Sequence, residues 1–106
     1  MRTRVIDSSP PGKIIRQLLV PDQVAERLRR VHPSLKRKIR GALKIIVVDP
    51  NQGKALKEEL SGLRSLRVGR FRVIYRHRNK VIEIVAVGPR EIIYQETYKL
   101  IQKEKD

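Results

Sequence analysis

The strongest constraint on the fold lies between residues 63 and 87. Three apolar runs of strand length follow one another there, broken only by short polar segments. Leu63–Val68, Phe71–His77 and Val81–Val87 are rich in β-branched and aromatic residues, and Gly69-Arg70 and Arg78-Asn79 are candidate two-residue turns between them. Such short breaks leave no room for crossovers, so the runs are predicted to form an antiparallel meander.

The flanking segments complete the pattern. Lys13–Val20 reads as a first strand, which Pro21 and Asp22 end. Val24, Leu28 and Val31 then recur at helical spacing. His32 and Pro33 interrupt, and Ser34 is a candidate N-cap for a second helix. Leu35, Ile39, Leu43 and Ile46 or Val47 line one side of that helix, with Lys36, Arg37, Lys38, Arg40 and Lys44 opposite. Asp49 to Gly53 stop it, Lys54 to Gly62 has no clear period, and Glu91 to about Lys103 reads as a final amphipathic helix. The order β-α-α-β-β-β-α predicts a small single α+β domain. In it, an N-terminal strand and a two-helix hairpin pack on the meander, with a C-terminal helix following. Residues 1–12 are expected to be an N-terminal extension, with Ser8 to Gly12 as a linker, and residues 13–106 the domain proper.

Charge narrows the function. Lys and Arg number 25 against 11 Asp and Glu, a formal net charge of +14. Such an excess attracts polyanions and repels itself. Nucleic acid and an acidic protein both fit as partners, an anionic membrane surface less well. The chain has no cysteine and two histidines, His32 and His77, which argues against disulfides and against a zinc site. No apolar run approaches the roughly 20 residues that span a bilayer, and the N-terminus lacks an apolar core of signal-peptide length. A cytoplasmic protein without cofactor or metal is therefore expected.

Placement matters more than total charge. Residues 63–80 carry seven Lys or Arg and no acid. With Gly69-Arg70 as a turn, Val68 pairs with Phe71, Arg67 with Arg72 and Leu66 with Val73. Leu66, Val68, Phe71, Val73 and Tyr75 then share the core face, and Arg67 and Arg72 stand opposite each other on the other. Like charges so placed destabilise a sheet, and the pair makes sense if an anion sits between them. With Arg78-Asn79 as the second turn, Tyr75 is expected opposite Ile82 and Arg72 opposite Val85. The last strand then delivers Arg90 to the same end, and Tyr94 follows one helical turn later.

Guanidinium forks match phosphate oxygens in shape and charge. They can stabilise the added negative charge of a phosphodiester-cleavage transition state. A phenol beside them can serve as general base, with the 2′-OH of RNA as nucleophile. Arg67, Arg72, Arg90 and Tyr94 are therefore the candidate catalytic set. Arg64, Arg70, Arg76, Lys36, Arg37, Lys38 and Arg40 are candidate RNA contacts, and no metal ligands are proposed. The same face could instead bind phosphate or protein without chemistry. Arg76 and Glu83 are candidates for a cross-strand ion pair, and Tyr98 is a second candidate for the phenol.

The segment Leu60 to Tyr75, LSGLRSLRVGRFRVIY, resembles that of RelE/ParE superfamily toxins of type II toxin–antitoxin systems, as do Gly53 to Leu56 and Val87 to Tyr94. The similarity covers residues 13–100. It implies a RelE-like toxin that cleaves messenger RNA in the ribosomal A site by 2′-OH attack, leaving a 2′,3′-cyclic phosphate. It also implies neutralisation by a cognate antitoxin, expected here to be acidic. By motif, Arg67 and Arg72 match basic strand residues that bind the phosphate, Arg90 the arginine after the last strand, and Tyr94 the tyrosine proposed as base. Pro89 stands where many members have histidine, Ser65 where some have a second basic residue, and Arg64 where tryptophan is common. ParE-like members inhibit DNA gyrase and do not need the charged pocket. That reading, and an inactive antitoxin-binding module, remain open at this point.

Overall fold

The computed structural model describes residues 3–7 and 17–105. Strand β1 is Thr3–Asp7 and β2 is Gln17–Pro21, followed by helices α1 (Asp22–Arg29) and α2 (Pro33–Val48). After a 3-10 turn at Pro50–Gln52 comes the two-residue strand β3, Lys54–Ala55. Another 3-10 turn at Glu58–Leu60 leads to β4 (Arg64–Val68), β5 (Phe71–Arg78), β6 (Val81–Pro89) and helix α3 (Arg90–Lys105).

The α+β reading and the meander hold. Strands β4, β5 and β6 pair antiparallel in sequence order, and β2 adds to β6 in parallel. The described sheet has six strands in the order β1-β2-β6-β5-β4-β3. Two strands were not anticipated. The short β3, in the stretch 54–62 that has no clear period, pairs antiparallel with β4. Thr3–Asp7, expected to belong to an extension, pairs antiparallel with β2 from Thr3 opposite Pro21 to Asp7 opposite Gln17. Of the expected first strand, Gln17 to Val20 lies in β2, and residues 13–16 fall outside the described segments, as does the Ser8–Gly12 linker.

Both faces of the sheet are covered. On one, Val24 of α1 and Ile39, Ala42, Ile46 and Val47 of α2 pack on Leu18, Val20, Val68, Val73, Tyr75, Ile82, Ile84 and Val87. Leu66 and Phe71 join this cluster, so the predicted core face is the one observed. On the other, Ile93 and Ile101 of α3 pack on Leu63, Ile74 and Ala86. The two layers explain the strand sequences. Central strands buried on both sides read as near-continuous apolar runs rather than alternating ones.

Two local expectations need correction. The second helix is capped by His32, not Ser34. The His32 imidazole Nδ1 accepts from the Ser34 backbone N–H at 3.1 Å, and Pro33 takes the first helical position, where its missing donor costs nothing. The second hairpin turns at Asn79-Lys80, since Arg78 pairs with Val81. Asn79 adopts φ +53°, a conformation its side chain tolerates better than most. A bulge between Ile74 and Tyr75 shifts the register again, so Tyr75 faces Ile84 and Arg72 faces Gly88.

A polar fastening holds the 50–53 turn. The buried Tyr75 hydroxyl donates to the Pro50 carbonyl at 2.6 Å and accepts the Gly53 N–H at 2.9 Å. Burial pushes the Tyr75 phenol above its ordinary value, against smaller opposing effects from the Gly53 N–H and from Arg64. A methyl at Gly53 would sit 2.5 Å from the phenol oxygen, so only glycine allows this approach.

Candidate functional site

The first hairpin forms as predicted. Gly69 takes φ +60°, which suits glycine at the first turn position, and Val68 pairs with Phe71. Arg67 therefore stands directly opposite Arg72, on the α3 face of the sheet. Arg67 is exposed, with a long 3.4 Å hydrogen bond from Nε to the Gly69 carbonyl. Arg72 is half-buried, and its Nη1 donates to Ser65 Oγ at 3.4 Å. Its Nε is covered and has no hydrogen-bond partner among the described residues. Two arginines directly opposite each other in the register, one with such a covered and unpartnered nitrogen, are costly for a sheet that only has to fold.

Helix α3 brings the phenol. Tyr94 Oη lies 3.2 Å from Ser65 Oγ, so Arg72, Ser65 and Tyr94 form one chain of polar contacts from β5 through β4 to α3. Strand β6 runs on to Pro89 opposite Phe71, and the Arg90 backbone N–H donates to the Arg70 carbonyl at 2.9 Å. The start of α3 is thereby tied to the turn that joins Arg67 and Arg72. Arg90 lies one helical turn before Tyr94, on the same side of the helix. Tyr98, by contrast, is 43% exposed. Tyr94 is the phenol that meets the sheet.

The structure separates the other candidates. Arg70 is exposed at the turn beside the pair. Arg64 reaches away from it, donating to the Gly53 carbonyl at 2.7 Å and the Asn51 carbonyl at 3.4 Å. Arg76 pairs with Glu83 at 2.5 Å, as read from sequence, and also with Glu104 of α3 at 3.0 Å. Burial works against its charged form, but the bonds to Glu104 and Glu83 outweigh it and raise the guanidinium above its ordinary value. Both arginines thus have structural partners. Lys36, Arg37, Lys38 and Arg40 lie on α2, whose layer packs on the opposite face of the sheet from Arg67 and Arg72. Lys36 and Arg40, with Arg29 and Lys44, rim an open groove floored by Leu18, Val20, Leu28, Ile39 and Leu43.

Ser65 was missed as a site residue. The register that places Arg67 opposite Arg72 also sets Ser65 two residues along the same face, but its burial depends on where α3 packs. Among the described residues no group of three or more His, Asp or Glu is arranged to hold a metal ion. No described helix is long and apolar enough to cross a membrane.

Fold and site together define a small, strongly basic α+β domain with a guanidinium-lined face on a meander. The family model for the ParE toxin of type II toxin–antitoxin systems, parDE, matches residues 15–94, and the chain belongs to this family within the RelE/ParE superfamily. Among solved structures, it is similar to the toxin–antitoxin complex RelBE2 from Mycobacterium tuberculosis. That likeness has 25% identity and a TM-score of 0.62 over 69% of this chain and 95% of the other. The free-state structure of Escherichia coli toxin RelE, in a form with two arginines changed to alanine, matches with a TM-score of 0.66. It has 17% identity and covers 82% of this chain and 94% of the other, a likeness of fold. Among curated protein sequences, none matches.

Proposed function

We propose that this toxin is a ribosome-dependent endoribonuclease that cuts messenger RNA in the A site and so stops translation in the cytoplasm. The observation that carries this reading is Arg67 directly opposite Arg72, with Arg72 linked through Ser65 to Tyr94. In the reaction, Tyr94 in its anionic form takes the proton of a 2′-OH, and that oxygen attacks the adjacent phosphorus. The P–O5′ bond breaks, the 5′-oxygen takes a proton from solvent, and a 2′,3′-cyclic phosphate remains. Arg67 and Arg72 hold the non-bridging oxygens as charge builds, and Arg90 supports them from the start of α3. Such preorganised donors are each worth about 100-fold or more in rate. No metal or cofactor enters this scheme. Arg70 is the nearest additional RNA contact, and Arg37, Lys38 and their neighbours on α2 would hold ribosomal RNA at a second surface.

An acidic antitoxin is the expected protein partner, by analogy with the complex from Mycobacterium tuberculosis. The groove floored by Leu18, Ile39 and Leu43 and rimmed by Arg29, Lys36, Arg40 and Lys44 suits an amphipathic acidic segment of that partner.

Primer extension on translated messages tests the nuclease reading. The wild-type protein should give new 5′ ends within coding sequence, and Arg72→Ala combined with Tyr94→Phe should remove them. Unchanged cuts from the double variant would rule out this site. The ParE family match favours a second reading, inhibition of DNA gyrase. Loss of supercoiling with intact messages would select it.

A further inference from the structure

Ser65 is 2% exposed on β4, on the sheet face that α3 covers. A hydroxyl buried there is costly unless it is hydrogen-bonded. Its two partners come from two different elements, Arg72 Nη1 of β5 at 3.4 Å and Tyr94 Oη of α3 at 3.2 Å. These are the cation and the phenol that the proposed cleavage uses.

The chemistry of the three groups fixes a direction. A guanidinium has donors and no acceptor, so Ser65 Oγ accepts from Arg72. The single serine proton is then free to point at Tyr94. While the phenol is neutral, either oxygen can donate. Once Tyr94 has lost its proton, its oxygen can only accept, and Ser65 must be the donor. The contact therefore suits the form of Tyr94 that a general base requires.

We propose that Ser65 is a positioning residue for RNA cleavage: its hydroxyl, held by Arg72, donates to Tyr94 Oη and fixes the phenol oxygen beside the Arg67–Arg72 pair. The proposal rests on the nuclease reading above. It gives a polar, uncharged residue a defined task on a strand otherwise shared by leucine, valine and arginine. A serine present only because a small residue packs there would be replaceable by alanine without effect on turnover.

The test compares the wild type with Ser65→Ala and with Ser65→Thr, which keeps the hydroxyl on a side chain suited to a strand. Cleavage is followed on ribosome complexes of defined message. Ser65→Ala should lower kcat about tenfold with KM and melting temperature unchanged, and Ser65→Thr should recover most of the rate. In the free protein, without any RNA, the Tyr94 ring 13Cζ resonance should move in Ser65→Ala and stay near its place in Ser65→Thr. A wild-type rate in Ser65→Ala with an unmoved Tyr94 resonance overturns the proposal and leaves the nuclease reading intact. So does a loss that Ser65→Thr fails to recover, or one that tracks a fall in melting temperature. A wild-type protein that makes no cuts overturns the nuclease reading, and the positioning role with it, even if the resonance moves.

Discussion

Replacing Arg67 with threonine should make the protein more stable and less able to hold RNA. Arg67 and Arg72 face each other across β4 and β5, and Arg67 is exposed while Arg72 is half-buried. Cross-strand charge pairs are worth roughly 0.2–1 kcal/mol, and like charges carry the unfavourable sign. The long Arg67 bond to Gly69, at 3.4 Å, offsets little of this. Threonine also suits a strand at an exposed position. The expected gain is about 0.5 kcal/mol, or roughly 3 °C in melting temperature for a domain near this size. Thermal unfolding followed by circular dichroism, in low salt and again near 1 M salt, measures it. The gain should shrink at high salt, where exposed charges more than about 3 Å apart are screened. RNA affinity should fall in the same variant, with a shallower dependence on salt. A variant less stable than the wild type in low salt would refute the reasoning, because the pair would then be favourable without an anion.

The remaining predictions concern the supports of the site. Tyr75→Phe removes the bonds to Pro50 and Gly53 and leaves two buried backbone groups unpaired, which should cost about 2–4 kcal/mol in urea unfolding. Because burial raises the folded-state value of Tyr75, its contribution is fully present below the unfolded value of about 10 and is lost as pH rises through the higher folded value. The wild type should therefore lose stability above about pH 10 more steeply than Tyr75→Phe does, a difference that pH-dependent denaturation can read. Arg76→Ala strands Glu83 and frees Glu104, and should cost about 1–2 kcal/mol after allowing for exposed carboxylates. Hydrogen exchange should then quicken in the last turns of α3 more than in β4 or β5.

Much of the architecture was legible because local signals agreed. The Gly69-Arg70 turn and the apolar runs beside it fixed the first hairpin, and with it the opposition of Arg67 and Arg72. Helix α2 followed from Ile39, Ile46 and Val47 at helical spacing. The second hairpin was less readable. Arg78, Asn79 and Lys80 are all acceptable turn residues, and the bulge beside Tyr75 leaves no mark in a strand apolar on both faces. Val85 and Ala86 face the α3 cluster in succession while Ile84 and Val87 face the other, an order that strict alternation cannot produce. Strand β1 was hidden because its pairing with β2 is a long-range event across a segment rich in serine and proline.

The candidate site divides along the same line. Arg67, Arg72 and Tyr94 could be named from register and helical spacing. The diversion of Arg64 to Gly53 and of Arg76 to Glu104 could not, since both depend on distant segments folding back against the sheet. That the α2 cluster and the β4–β5 pair lie on separate layers could not be read from cation content either, since it depends on the sheet standing between them.

The most direct measurement follows the Arg72 side-chain Nε–H signal by NMR while an RNA carrying a 2′-deoxy nucleotide at the cut position is titrated in. That group is buried and has no hydrogen-bond partner among the described residues. A saturable shift, larger than those of the α2 arginines and lost in Arg67→Thr, is the predicted result. A signal that stays still while RNA binds elsewhere would show that the paired guanidiniums do not receive the phosphate.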